Sequence, residues 1–191
     1  MPQLINFVLE NVAGFFTFAL LIRFAMQWAR APFRNPIGHF VVTVTDWMVR
    51  PARRVIPAAW GLDLPCLVLA WLMQMLYLSA IYGYGGFFQG GAGSVGIIAL
   101  AAIIATANVA CYLVIGVVII SALLSWINPH APIAPTINAL AAPLLGPFQR
   151  IIPLVGGIDL SPIALFFAVR LLQVGLAGAQ SWLFASLLSP A

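Results

Sequence analysis

Four stretches of this chain, residues 4–29, 64–82, 95–127 and 162–188, are apolar over the length of a membrane span and almost free of charge. A hydrocarbon core of about 30 Å needs roughly 20 apolar residues at about 1.5 Å of rise each. Inside lipid, each segment must satisfy its own backbone hydrogen bonds, which makes such stretches helices. Composition decides whether they form a soluble core or face lipid. The 191 residues are 63% hydrophobic and 6% charged, against roughly 25% charged in soluble domains. That is too little charge to clothe a soluble core. The expectation is an all-α membrane protein with four transmembrane helices, at about 4–29, 64–82, 102–126 and 162–188.

A second feature ties the spans into two halves. Pro51, Arg54, Ile56, Pro57, Gly61, Asp63 and Leu64 recur 96 positions later as Pro147, Arg150, Ile152, Pro153, Gly157, Asp159 and Leu160. Upstream, Trp28 with Asn35-Pro36 is matched by Trp126 with Asn128-Pro129. One unit used twice predicts a first repeat over 1–82, a Gly-rich linker over 83–96 and a second repeat over 97–191. Each half is then span, loop, span, which returns the chain to its starting side and relates the halves as parallel repeats.

This doubled pattern resembles the YggT family of small membrane proteins, also called YlmG. The family signature is a Trp and Asn-Pro loop, a Pro-x-x-Arg-Ile-Ile-Pro run, then Gly-x-Asp-Leu-Ser-Pro. The second half matches it closely. In the first half Val55 replaces an Ile and Pro65 stands where Ser is expected. The resemblance implies an integral membrane protein without an agreed biochemical activity. It links the chain to cytochrome assembly in plastids, to membrane or nucleoid organisation and cell division, and to osmotic or ion homeostasis in bacteria.

Within each connecting loop a short amphipathic helix is expected at the membrane interface. The first covers 37–50, with Ile37, Phe40, Val41, Val44, Trp47 and Met48 on its apolar face, and ends at Pro51. The second covers 133–142, with Ile133, Ile137, Leu140 and Ala141, and ends at Pro143. All 8 basic residues are Arg, and Arg30, Arg34, Arg50, Arg53, Arg54 and Arg150 lie in these two loops. The formal charge of +4 therefore speaks of topology and not of nucleic acid. The positive-inside rule puts the Arg-bearing loops in the cytoplasm and both termini outside the inner membrane. No positively charged leader precedes the first span, so no cleavable signal is expected.

Two kinds of polar residue carry chemical interest. Arg54 with Asp63, and Arg150 with Asp159, share one spacing. Each pair is expected to lock its loop onto the start of the following span, with Asp at the helix N-terminus. An anion or headgroup site is the alternative. Glu10, Gln74, Asn108, Arg170 and Gln173 lie inside the spans, where a charge costs a few kcal/mol and calls for a partner. A buried Glu10–Arg170 pair is expected, with a polar pathway for an ion or proton as its rival. Arg23, nearer a span end, is expected to snorkel outward.

Cys66 and Cys111 read as small buried apolar residues. His39 and His130 differ in spacing from their Asn-Pro and have no carboxylate to orient them, which disfavours haem or metal ligation. Ser161 reads as a helix cap, and the Trp residues as an interface belt. No nucleophile–base set, phosphate loop or metal cluster is present in the pattern, so no catalysis and no cofactor is expected. The first functional expectation is a scaffold or assembly factor of the membrane. The second is a small channel or transporter. Partners expected are the bilayer, an unidentified membrane protein, further copies of the chain and anionic lipid headgroups, with no direct nucleic-acid contact.

Overall fold

The computed structural model describes residues 2–56, 62–84, 92–152 and 159–188. Among the described residues six helices follow in order: α1 (Pro2–Trp28), α2 (Pro36–Val55), α3 (Leu64–Tyr84), α4 (Ala92–Ile127), α5 (Ala134–Ile151) and α6 (Ser161–Leu188). Four of them, α1, α3, α4 and α6, are long and apolar enough to cross a membrane. Their wide bands of exposed Leu, Ile, Val and Phe suit lipid as the solvent.

The spans pack as a connected set. α1 lies along α3, α3 against α4, and α4 against α6, while α4 also touches α1. Among the described residues α1 and α6 do not approach each other closely. Small side chains let backbones come together: Ala101 and Ala102 of α4 are fully buried beneath Leu78 of α3. The Trp71 indole N–H crosses this contact to donate to the Ala99 carbonyl at 2.9 Å, so this Trp is a packing residue and not part of an interface belt. Trp28, Trp47, Trp126 and Trp182 are exposed; Trp60 lies outside the described residues. Cys66 and Cys111 are buried.

α2 and α5 each pack against the spans before and after them, α2 on α1 and α3, α5 on α4 and α6. Both run longer than the prolines suggested. Pro51 lies inside α2, and Pro143 and Pro147 lie inside α5. Proline removes one helical N–H, a loss these helices absorb while tertiary packing holds their apolar faces. The stripe of α2 is also rotated from expectation. Gly38, Val41, Thr45, Met48 and Val49 are buried, whereas Phe40 and Trp47 stay exposed and meet Phe15 and Phe16 of α1 edge to face. α5 buries Ile137, Leu140 and Ala141.

The start of α2 is tightly fixed. Asn35 is its N-cap, accepting from the Gly38 N–H at 2.8 Å. A Cβ on Gly38 would sit 2.3 Å from the Phe33 carbonyl oxygen, so only glycine fits this approach. The Asn35 amide also donates to Thr136 Oγ1 of α5 at 2.8 Å. This buried bond joins the two connecting regions. α4 begins at Ala92, inside the stretch expected as linker, and extends the third span well upstream of residue 102.

Candidate functional site

Glu10, Gln74, Asn108, Arg170 and Gln173 all line one cavity of about 1130 Å³ among the four long helices. α1 adds Asn11, α3 adds Tyr77, and α4 adds Tyr112. Gln74 and Gln173 are buried there, whereas Glu10 and Arg170 line it while exposed.

The structure does not pair Glu10 with Arg170; among the described residues they form no ion pair. α1 and α6 do not approach each other closely among the described residues, so no helix contact brings the two side chains together. Arg170 instead donates to Gln173 Oε1 at 3.1 Å and lies over the Phe166 ring, 5.4 Å from its centre. The Gln173 side-chain nitrogen is buried and has no hydrogen-bond partner. Gln74 donates to Thr17 Oγ1 at 3.2 Å. Glu10 and Arg170 thus line one space of mixed polar and apolar wall, with the Gln173 nitrogen as an unused donor beside it.

A second polar centre lies where α2 folds over α1. Arg23 does not snorkel: it is 5% exposed. Its guanidinium donates to Thr45 Oγ1 at 2.8 Å and to Asp46 at 3.0 Å, and approaches Asp63 at 3.9 Å. Asp63 is 1% exposed. Its partner is Arg53, which binds both carboxylate oxygens, and not Arg54. Arg50 completes the cluster on Asp46 at 2.7 Å. Partial desolvation works to raise the Asp46 carboxyl, but the hydrogen bonds and charges of Arg23 and Arg50 prevail and hold it below its ordinary range. The pairing of Arg23 with Asp46 and of Arg53 with Asp63 was not visible in the sequence because these contacts join separate elements.

Asp159 stands just before α6 and accepts from the Ser161 N–H at 2.8 Å and from the Gln149 amide at 2.8 Å. Its partner is Gln149, not Arg150, which is exposed. Ser161, whose N–H donates to it, and the Gln149 amide hold the Asp159 carboxyl below its ordinary range against partial burial. Asn128, Pro129, His39 and His130 are exposed. Pro57 and Pro153 lie outside the described residues. No cluster of metal-binding side chains occurs among the described residues.

The sequence profile of the CCB3/YggT family matches residues 2–82 and again residues 100–180. The chain belongs to the CCB3/YggT family. It is 35% identical over 175 residues to an uncharacterized protein of Pseudomonas aeruginosa, covering 88% of this chain and 85% of that one. It is 33% identical over 174 residues to the uncharacterized protein YggT of Escherichia coli K12, covering 91% and 89%. A Haemophilus influenzae relative is 29% identical over 155 residues, 81% of either chain. No solved structure shows a significant match.

The two CCB3/YggT matches set the polar centres side by side. At the sequence offset that relates Trp28 to Trp126, Arg23 corresponds to Ser121. Arg53 and Asp63 correspond to Gln149 and Asp159. The first half therefore carries an arginine-filled centre and the second an uncharged partner set around one carboxylate. Ser121 donates to Asn138 Oδ1 at 3.0 Å.

Proposed function

We propose that this protein is a non-enzymatic, multi-pass protein of the bacterial inner membrane that admits a small polar solute or ion into its intramembrane cavity. It would act as a small channel or transporter in osmotic or ion homeostasis. One observation carries this reading: Glu10, Gln74, Asn108, Arg170 and Gln173, from all four apolar helices, face a single space of about 1130 Å³. Ionisable residues inside a span are costly and mark solute paths or relays. α1 and α6 do not approach each other closely among the described residues, which leaves room for an entrance. The frame of this reading is two parallel repeats with α2 and α5 as interfacial helices, Arg-bearing loops in the cytoplasm and termini outside.

Flux into liposomes tests it. Wild-type protein should raise the flux of potassium, chloride, protons or glycerol above protein-free vesicles. Arg170→Ala and Glu10→Gln should each lower that flux about tenfold or more, at unchanged reconstitution, as expected for losing one polar contact of about 1.4 kcal/mol in the path. Wild-type vesicles as tight as empty ones to every species would overturn the proposal.

A second reading has its own observation. Arg30, Arg34, Arg54 and Arg150 are exposed and unpaired with carboxylates among the described residues. They suit docking of anionic headgroups or of a membrane-protein partner, as a scaffold or assembly factor would need. Purification in mild detergent should then recover a stoichiometric partner that Arg54→Gln with Arg150→Gln releases. A protein recovered alone would leave the solute reading as the sole one.

A further inference from the structure

Beyond the central cavity, the second half holds a smaller one of about 370 Å³ at the level of α4's C-terminal end. Its polar wall includes Ser121, Ser125, Asn138, Gln149 and Asp159. Two of these, Gln149 and Asp159, stand 96 positions after Arg53 and Asp63 of the first-half cluster, and Ser121 stands where that cluster has Arg23. With Ser121 in place of an arginine, no guanidinium enters, and the Asp159 carboxylate forms no ion pair among the described residues. Two of its acceptor sites are used by Ser161 and Gln149, and a carboxylate offers about four. The space is thus shaped and charged for a cationic donor that the chain itself does not supply.

A second cavity identifies the kind of molecule. An apolar groove of about 260 Å³ lies between α4 and α6 and shares Ala122 and Pro162 with the polar cavity. From Leu123 it runs toward Val114 and Val169, roughly 13 Å along the helix axis toward the membrane interior. A polar pocket at the membrane surface that opens into an apolar slot directed inward matches a phospholipid, headgroup first.

We infer that the Asp159 cavity and the α4–α6 groove together bind a phospholipid whose headgroup ends in a primary ammonium, its acyl chain lying in the groove. The ammonium has three donors. Asp159, the Asn138 carbonyl oxygen and the Ser121 hydroxyl oxygen can receive them. This site is separate from the exposed arginines, which suit the opposite headgroup charge.

The test uses the full chain in mild detergent and native mass spectrometry with phosphatidylethanolamine and phosphatidylglycerol of matched chains. Wild type should retain the ethanolamine lipid about tenfold better, the worth of one charge-assisted hydrogen bond. Asp159→Asn should bring the two lipids to parity. Ser121→Arg should place a guanidinium in the cavity, as Arg23 does in the first half, and abolish ethanolamine-lipid retention while keeping the thermal midpoint at or above wild type. Glycerophosphoethanolamine, which lacks acyl chains, should not compete. Parity in wild type, retention by Ser121→Arg, or equal competition by the acyl-free headgroup would each overturn the assignment. The wild-type comparison decides even where a variant misfolds, and none of these readouts depends on flux through the central cavity.

Discussion

Arg23 enters the bundle from α1 and meets Thr45, Asp46 and Asp63 while 5% exposed. Removing a partner from a buried charge cluster costs about 3–5 kcal/mol, because the remaining charges lose compensation without regaining water. Arg23→Met should therefore lower the thermal midpoint in detergent sharply or abolish accumulation. Arg23→Lys should recover only part of the loss, since an ammonium cannot span a hydroxyl and two carboxylates as the planar fork does. A midpoint unchanged in Arg23→Met would show that the cluster is not stabilising. The sequence marked Asp63 but not this arginine. Depth along a helix suggested an outward reach, whereas the acceptors come from α2 folded back over α1, a contact without local periodicity. The choice of Arg53 over Arg54 has a similar origin. α2 continues through Pro51 to Val55, and adjacent helical positions point about 100° apart, so one of the two faces the carboxylate.

At the scale of elements, the two halves differ most at their Asn-Pro starts. Asn35 caps α2 and donates to Thr136 across the molecule. Asn128 is exposed, and α5 has no side-chain cap. Replacing an N-cap Asn by Ala costs about 1 kcal/mol, and leaving a buried hydroxyl without its donor adds about 1 kcal/mol. Asn35→Ala should lose about 2 kcal/mol, and Asn128→Ala should stay within about 0.5 kcal/mol, as exposed substitutions do. Thermal melts of the two variants side by side check this; equal losses would remove the distinction. The repeated dipeptide was legible, but its unequal roles were not, because the Thr136 contact spans 101 positions. Span existence was legible for the opposite reason: continuous apolar runs need no partner to declare themselves helical in lipid. The ends of α2, α4 and α5 were less so, since proline and glycine signals yield to packing.

At the scale of the whole molecule, the polar positions inside the spans were visible one by one, and their convergence on one cavity was not. Convergence depends on which helices touch, and α1 and α6 do not approach each other closely among the described residues. Orientation follows from charge. Six of the eight arginines lie between the first and second spans or between the third and fourth, at one end of the bundle if all four long helices cross. Carrying Lys or Arg outward is opposed near span ends, so that end should face the cytoplasm. Arg23, held inward by Asp46 and Asp63, belongs to the same end. A reporter fused at Gly90 should then be active only outside, as should one fused beyond Leu188, and one replacing the Arg30–Arg34 loop only inside. Cytoplasmic activity at Gly90 would invert the assembly. It would also move the Asp159 cavity to the outer leaflet, so the reporter would fix which leaflet supplies its lipid.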